Sequence, residues 1–430
     1  MEARDPRRDR LAFSVVTAVF FMWGFITVLN DVLVPHLKSV FSLDYTQAAL
    51  IQFCFFGAYF LMSLPAGKVV ALAGYKNSVI FGLIVTGIGA LGFLPAASLL
   101  SYPLFLAALF VLASGITLLQ VAANPYVSLL GPPHGASSRL NLSQAFNSLG
   151  TAIAPKFGGL LILAGTVLTP IALAQLTPDQ QIAYRLQQAH SVQLPYLGLA
   201  ATLFMLAFVV YLFHLPAVQG VEEADTGPHP FRDALRHRHL AFAVVAIFLY
   251  VGAEVSIGSF MINYISLPGI GSMPEAQAAG YVSLYWSGAM IGRFVGAALL
   301  RKVDSRKLLA LFAAVAAVLV LSTMLTGGML AVWSVVAIGL FNSIMFPTIF
   351  TLGIEGLGPL TGRGSSLLVM AIVGGALLPL AQGKLADLLG LHHAFVLPLL
   401  CYLYILFYAI KGSQRQSSDD AFTPTIRAHG

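Results

Sequence analysis

Asn30 and Asp31 stand side by side inside a long apolar run, FITVLNDVLVPHL at 25–37. A carboxylate in hydrocarbon costs roughly 2.5–3.5 kcal/mol on insertion scales, so an acid at such depth is expected to face a protein interior and to hold an ion or a polar solute. The other reading puts Asp31 near the outer end of its helix, where it reaches water. Only Lys156, Glu254 and Arg293 share this kind of position; the remaining acidic residues fall in loops, termini or span ends. Glu254, in YVGAEVSIGSF, lies in the seventh apolar run and Asp31 in the first, 223 residues earlier; aligning the triplets FMW and FLY would set the two acids one helical turn apart. Two carboxylates on paired helices suit a coupling ion and a polar solute. Arg293, in SGAMIGRFVG, reads as a side chain that snorkels to the inner interface, and Lys156, in IAPKFGG, has no evident partner.

Carboxamides accompany these charges in helical stripes. Thr117, Gln120 and Asn124 follow i, i+3, i+7 spacing in the fourth run; Asn141, Gln144, Asn147 or Ser148, and Thr151 do so in the fifth. Ser and Thr are explained by helix packing alone. Repeated Asn and Gln are not, because each carboxamide has four hydrogen-bonding sites to satisfy in hydrocarbon. A wet cavity that takes a solute rich in hydroxyls accounts for them. Asn263 and Asn342 extend such a lining in the second half, and Trp286 and Tyr250 offer ring faces to the apolar side of a sugar.

The elements that must position these residues are membrane helices. Of 430 residues, 58% are hydrophobic and 9% charged, against about 25% charged in soluble domains. Twelve apolar runs are long enough to cross about 30 Å of hydrocarbon, at 11–36, 48–72, 78–98, 103–129, 140–167, 192–214, 239–266, 278–300, 307–326, 330–353, 364–387 and 393–411. The runs are continuous rather than alternating, which favours helices over a barrel. The basic start MEARDPRRDR leads into a stretch too long for a signal peptide and is read as a retained first span. Cys54 and Cys401 both lie in apolar runs, so neither a disulfide framework nor a Cys-ligated metal is expected.

With the N-terminus inside, eighteen of the 23 Lys and Arg residues fall on the inner side and only Lys38, Arg185 and Lys384 on the outer. Both termini are therefore expected to be cytoplasmic, in a multi-pass membrane protein. The net charge of +6 reflects this topology, not nucleic-acid binding. The long polar connection at 215–239 separates two sets of six spans. It divides the chain into an N-terminal six-helix bundle (1–214), a cytoplasmic linker (215–239), a C-terminal bundle (240–411) and a disordered tail (412–430). The halves repeat: Pro125 pairs with Pro347 at a separation of 222, while Arg139 with Arg363, Gly150 with Gly374, Pro155 with Pro379 and Gly159 with Gly383 all fall at 224. The fold class is thus all-α integral membrane, two pseudo-symmetric six-helix bundles with a site between them.

Two resemblances refine this. Gly67, Gly74 and Lys76 occupy the first, eighth and tenth places of the loop pattern G-x-x-x-D-R-x-G-R-K of the major facilitator superfamily, with Ala71 and Leu72 in place of its Asp and Arg. FMWGFITVLNDVLVPHL, LLQVAANPYVSLLGP, RLNLSQAFNSLGTAIAP and MFPTIFTLGI together resemble the fucose permease and glucose/galactose permease family of that superfamily. The resemblance implies cation-coupled hexose uptake by alternating access across a bacterial inner membrane. Asp31 matches the first-helix Asp used by fucose–proton symporters, and Gln144 and Asn147 match polar residues of their sugar site. Gln120 stands where those symporters have a second functional Glu, and Glu254 where they have a Gln, an arrangement closer to the glucose/galactose branch.

The resulting expectation is symport of a hexose (glucose, galactose or mannose, with fucose as a further candidate). The coupling ion is sodium or a proton, with no other cofactor. Asp31, Asn30, Thr27 and Glu254 handle the ion; Gln120, Asn124, Gln144, Asn147, Glu254, Asn263, Trp286 and Asn342 line the sugar site. Thr27, Asn30 and Asp31 supply the hard oxygens a sodium ion takes. Each chain is expected to work as a monomer. The competing reading is proton-coupled efflux of amphipathic compounds, which the carboxamide stripes disfavour. An embedded enzyme is not expected: H-E-x-x-H, G-x-S-x-G and G-x-x-x-x-G-K-[ST] are all absent.

Overall fold

The structure is a computed structural model that describes residues 6–41, 45–161, 175–177, 179–181, 183–184, 192–213, 215–216 and 231–415; the side chains of 6–9, 30–41, 45–49 and 158–161 lie outside that description. The chain clusters into two compact units, Met1–Val127 with Ser143–Pro216, and Ser128–Leu142 with Ala217–Gly430.

The first unit is built from α1 (Pro6–Phe41), α2 (Tyr45–Ser98), α3 (Tyr102–Leu129), most of α4 (Ala136–Leu161) and α5 (Gln193–Leu212). Apolar runs in lipid become helices because every backbone N–H and C=O must be satisfied within the segment. Side-chain hydroxyls obey the same rule: Ser63, Thr86, Ser114 and Thr117 each donate to the carbonyl four residues back in their own helix. α2 contains two predicted spans, and the only non-helical residue between them is Gly74, at φ 74° and ψ 171°. A side chain is strained at that positive φ, so glycine is what lets the chain turn there within a single residue. Lys76, two residues on, donates to the Tyr211 carbonyl at 2.9 Å and ties α2 to α5. Phe93 packs against Phe105 and Tyr196 with ring centroids 5.6 and 4.3 Å away, fixing α3 and α5 on the second part of α2.

The second unit comprises the short α6 (Phe231–Leu235) and then α7 (Arg238–Ser266), α8 (Glu275–Leu299), α9 (Ser305–Leu325), α10 (Gly328–Asn342), α11 (Met345–Ile354), α12 (Thr361–Met370), α13 (Gly374–Leu389), α14 (Leu391–Ala394) and α15 (Val396–Phe407). α10 and α11 form one predicted span interrupted at Ser343–Ile344. Pro347 explains the break, since it has no N–H for the Ser343 carbonyl four residues back. Tyr264 donates to the Thr323 carbonyl at 2.6 Å and Ser322 meets Ser334 at 2.9 Å, joining α9 to its neighbours.

Among the described residues, nine stretches are long and apolar enough to cross a membrane. One of them, Leu50–Ser98, covers two predicted spans; α4 and α8 supply the fifth and eighth, which fall short on hydropathy because of their carboxamide, glycine and charged residues. Among the described residues every predicted span therefore has a helix, with 162–167 of the fifth span lying outside them. The segment Ser128–Leu142, assigned from sequence to the first bundle, clusters instead with the second unit. Side-chain bonds hold it there: Ser137 meets Thr351 at 2.6 Å, Ser138 donates to the Ala297 carbonyl at 2.6 Å, and Asn141 to the Arg293 carbonyl at 2.7 Å. The described start of the expected tail is packed, with the Ser413 carbonyl accepting from Arg306 at 3.4 Å; residues 416–430 lie outside the described residues.

Candidate functional site

In the first unit, α3 and α4 bury four of the predicted carboxamides and bring two of them, Asn124 and Gln144, into contact. Gln120 is 8% exposed and its Nε2 donates to the Tyr59 hydroxyl at 2.8 Å. One turn on, Asn124 is fully buried and its Oδ1 accepts from Gln144 Nε2 at 3.4 Å. Asn147, on the next turn of α4, donates to the Phe20 carbonyl at 2.9 Å. Thr117 is buried and bonded back to Ala113, so the third member of that stripe is satisfied within its own helix. The i, i+3, i+7 stripe of Thr117, Gln120 and Asn124 is buried along α3, and Tyr59 of α2 bonds to its middle member.

Thr27 is half-buried on α1 and its hydroxyl donates to the Trp23 carbonyl at 2.8 Å, which leaves the oxygen's lone pairs as ligands. Asn30 and Asp31 have helical backbone in α1, but their side chains lie outside the described residues, so no ligand set around Asp31 is described. Among the described residues no group of three His, Cys, Asp or Glu could hold a metal ion. Lys156 is exposed on α4.

The second unit holds the other charges. Glu254 on α7 and Arg293 on α8 have side chains only 11% and 13% exposed, with Arg293 Nη2 at 3.8 Å from Glu254 Oε1. Arg293 therefore turns into the protein, where the sequence had suggested snorkelling. Glu254 Oε1 is buried and accepts no hydrogen bond, so the guanidinium compensates its charge across a gap rather than by direct bonding. A tyrosine cluster adjoins it: Tyr285 donates to the Glu254 backbone carbonyl at 3.3 Å.

Asn342, at the end of α10, sits in the middle of that cluster with no solvent exposure. Its Nδ2 donates to the Tyr285 hydroxyl at 2.7 Å, its Oδ1 accepts from Tyr402 at 2.7 Å, and its carbonyl accepts from Tyr250 at 3.0 Å. The amide expected to line the sugar site is engaged by the protein here, and Tyr250 is buried rather than presenting an open ring. Trp286, by contrast, is 43% exposed and stands beside Tyr285 with ring centroids 5.1 Å apart. Asn263 is exposed near the end of α7. Sequence reasoning missed Tyr59, Tyr285 and Tyr402. The available signal was a mid-span tyrosine, whose hydroxyl needs a partner in hydrocarbon.

The repeat decides which positions correspond. A Cβ on Gly150 would collide with the Phe21 carbonyl, and a Cβ on Gly374 with the Phe248 carbonyl. The glycines differ by 224 and the phenylalanines by 227, so α1 and α7 correspond through their aromatic triplets. Glu254 then occupies the register of Thr27, and Asp31 that of Gly258. The two acids lie one turn apart along equivalent helices.

The sequence matches the Major Facilitator Superfamily over residues 11–378. It is 52% identical over 413 residues to the glucose/galactose transporter of Brucella abortus (strain 2308), covering 96% of this chain and 97% of that protein. It is 36% identical over 425 residues to the L-fucose-proton symporter of Escherichia coli (strain K12), covering 96% and 95%. The crystal structure of the Major Facilitator Superfamily transporter FucP in the outward conformation superposes with a TM-score of 0.88 at 36% identity, over 95% of this chain and all of that one. The chain, a multi-pass membrane protein, belongs to the Major Facilitator Superfamily.

Proposed function

We propose that this protein is a secondary active transporter that carries a hexose, glucose or galactose, into the cytoplasm together with a cation, by alternating access. The observation that carries the reading is the set of buried carboxamides on α3 and α4: Asn124 accepts from Gln144, while Gln120 bonds to the Tyr59 hydroxyl and Asn147 to the Phe20 carbonyl. Carboxamides donate and accept at once, which suits the paired donor and acceptor character of sugar hydroxyls. The half-exposed Trp286 offers a ring face for the apolar side of the sugar, and Asn263 a further polar group. Within the second unit, Asn342 fixes Tyr285 and Tyr402. Relatives named as a glucose/galactose transporter and as an L-fucose-proton symporter support a sugar as the solute.

Asp31, with Thr27 and Asn30, takes the coupling ion. A proton has the support of the fucose-proton relative, and sodium that of the oxygen-rich residue types. An uncompensated charge is costly to occlude, so loading the carboxylate with a cation eases closure around the sugar. Glu254, already compensated by Arg293, shares the ion's charge or accepts a sugar hydroxyl once its surroundings open. The protein works as a monomer in the bacterial inner membrane with both termini cytoplasmic. Equilibrium binding of labelled galactose to purified protein tests the solute class. Displacement by glucose but not by lipophilic cations is the expected result, and displacement by lipophilic cations alone would return the efflux reading.

A further inference from the structure

Arg293 makes contacts of three kinds with three separate elements of the second unit. Its Nη2 lies 3.8 Å from Glu254 Oε1 on α7. Its Nε donates to the Ser343 carbonyl at 3.4 Å, in the break between α10 and α11. Its own carbonyl accepts from Asn141 Nδ2 at 2.7 Å, on the second turn of α4. The Ser343 contact has a cause in the sequence, because Pro347 leaves that carbonyl without its helical donor and the guanidinium takes it.

The surroundings leave little slack. A Cβ on Gly292 would come within 2.6 Å of Ser343 Oγ, and one on Gly296 within 3.0 Å of Asn141 Nδ2. One turn beyond Arg293, Ser138 grips the Ala297 carbonyl at 2.6 Å, so α4 holds this face of α8 at two points. α4 starts in the second unit and continues into the first at Ser143.

We infer that Arg293 is a positioning residue that ties Glu254 to the first turns of α4, so that a new partner or a charge change at Glu254 alters the hold on Asn141. With both side chains this deeply buried, the attraction between guanidinium and carboxylate is strong and poorly screened. A cation or hydroxyl that engages Glu254 weakens its pull on Nη2. The Ser343 bond limits how far the planar group swings alone, so the shift passes to the α8 backbone that carries the Asn141 acceptor. The functional meaning of this link rests on the transport reading; the physical link does not.

Double-mutant cycles test it. Glu254→Gln and Asn141→Ala are made singly and together, first in the unaltered chain and then with Arg293→Gln. Two quantities are followed: the melting temperature in detergent and the rate of galactose exchange across proteoliposomes. Residues without a shared partner act additively, whereas those in one network couple. With Arg293 present, the double variant is expected to lose at least about 3-fold less exchange than the product of the single losses, and its melting shift to fall short of the sum. With Arg293→Gln both effects become additive. Additive melting shifts in the presence of Arg293 overturn the inference, whatever exchange does. Asn141→Ser replaces the alanine variant if the latter fails to fold. Unaltered protein that melts cooperatively yet exchanges no hexose counts against the transport reading, and the melting cycle still decides the link.

Discussion

Asn342 and Tyr402 meet through a 2.7 Å hydrogen bond at two residues with no solvent exposure. The bond joins the end of α10 to α15, and Asn342 Nδ2 extends it to Tyr285 of α8 at 2.7 Å. Buried polar groups of this kind are costly to leave unpaired, since nothing in lipid replaces a lost partner. Asn342→Leu is therefore expected to destabilise the protein by about 2–4 kcal/mol, because it orphans the Tyr402 hydroxyl and removes a donor from Tyr285. Combining it with Tyr402→Phe removes both members of one bond, and melting curves in detergent should show part of the loss recovered. A double variant as unstable as the sum of its parts would mean that the pair is not coupled.

Tyr59 offers a gentler perturbation. Its hydroxyl orients Gln120, so Tyr59→Phe leaves the fold intact and frees the carboxamide to rotate. A lost neutral hydrogen bond is worth about 1 kcal/mol, or roughly 5-fold in affinity. The expected result is a KM for hexose raised about 5-fold with kcat little changed. An unchanged KM would separate Gln120 from the sugar.

The helix contacts at Gly150 and Gly374 leave no room for a side chain, because backbone atoms of α1 and α7 lie where a Cβ would go. Overpacking against backbone cannot be relieved by a rotamer change, so Gly150→Ala and Gly374→Ala should each cost about 3 kcal/mol and sharply reduce folded protein. Gly280 in α8 has nothing within 4 Å of its would-be Cβ, and Gly280→Ala should be tolerated. Yields after detergent extraction and size-exclusion profiles compare the three variants.

The two carboxylates should respond differently. If Asp31 takes the ion, Asp31→Asn abolishes gradient-driven accumulation while exchange at equal concentrations survives. Glu254→Gln leaves Arg293 uncompensated in a buried position and should lower both stability and sugar affinity, by at least about 3-fold in the latter. Full accumulation by Asp31→Asn would remove Asp31 from the coupling step.

Helix existence was legible because long apolar runs have one solution in lipid. The Pro and Gly repeat disclosed the correspondence of the halves, and the contacts of Gly150 and Gly374 fixed its register at one turn from the simple offset between Asp31 and Glu254. What the sequence hid was which polar groups find each other. Asn342 and Gln120 look alike as carboxamides within apolar runs, yet one lies amid three tyrosines from distant spans and the other donates to a single one. Arg293 looked like an interfacial side chain because its partner, Glu254, is 39 residues away on another helix. The affiliation of Ser128–Leu142 was likewise invisible, since it depends on hydroxyl and amide contacts to α8 and α11 that carry no apolar signature.

The most direct measurement is uptake of labelled glucose and galactose into proteoliposomes, with an inward sodium gradient or an inward proton gradient imposed separately. The account predicts accumulation above the external concentration under one of these gradients and its collapse when a matching ionophore dissipates it. Uptake that never exceeds equilibrium under either gradient, from folded protein that binds hexose, would contradict cation-coupled symport.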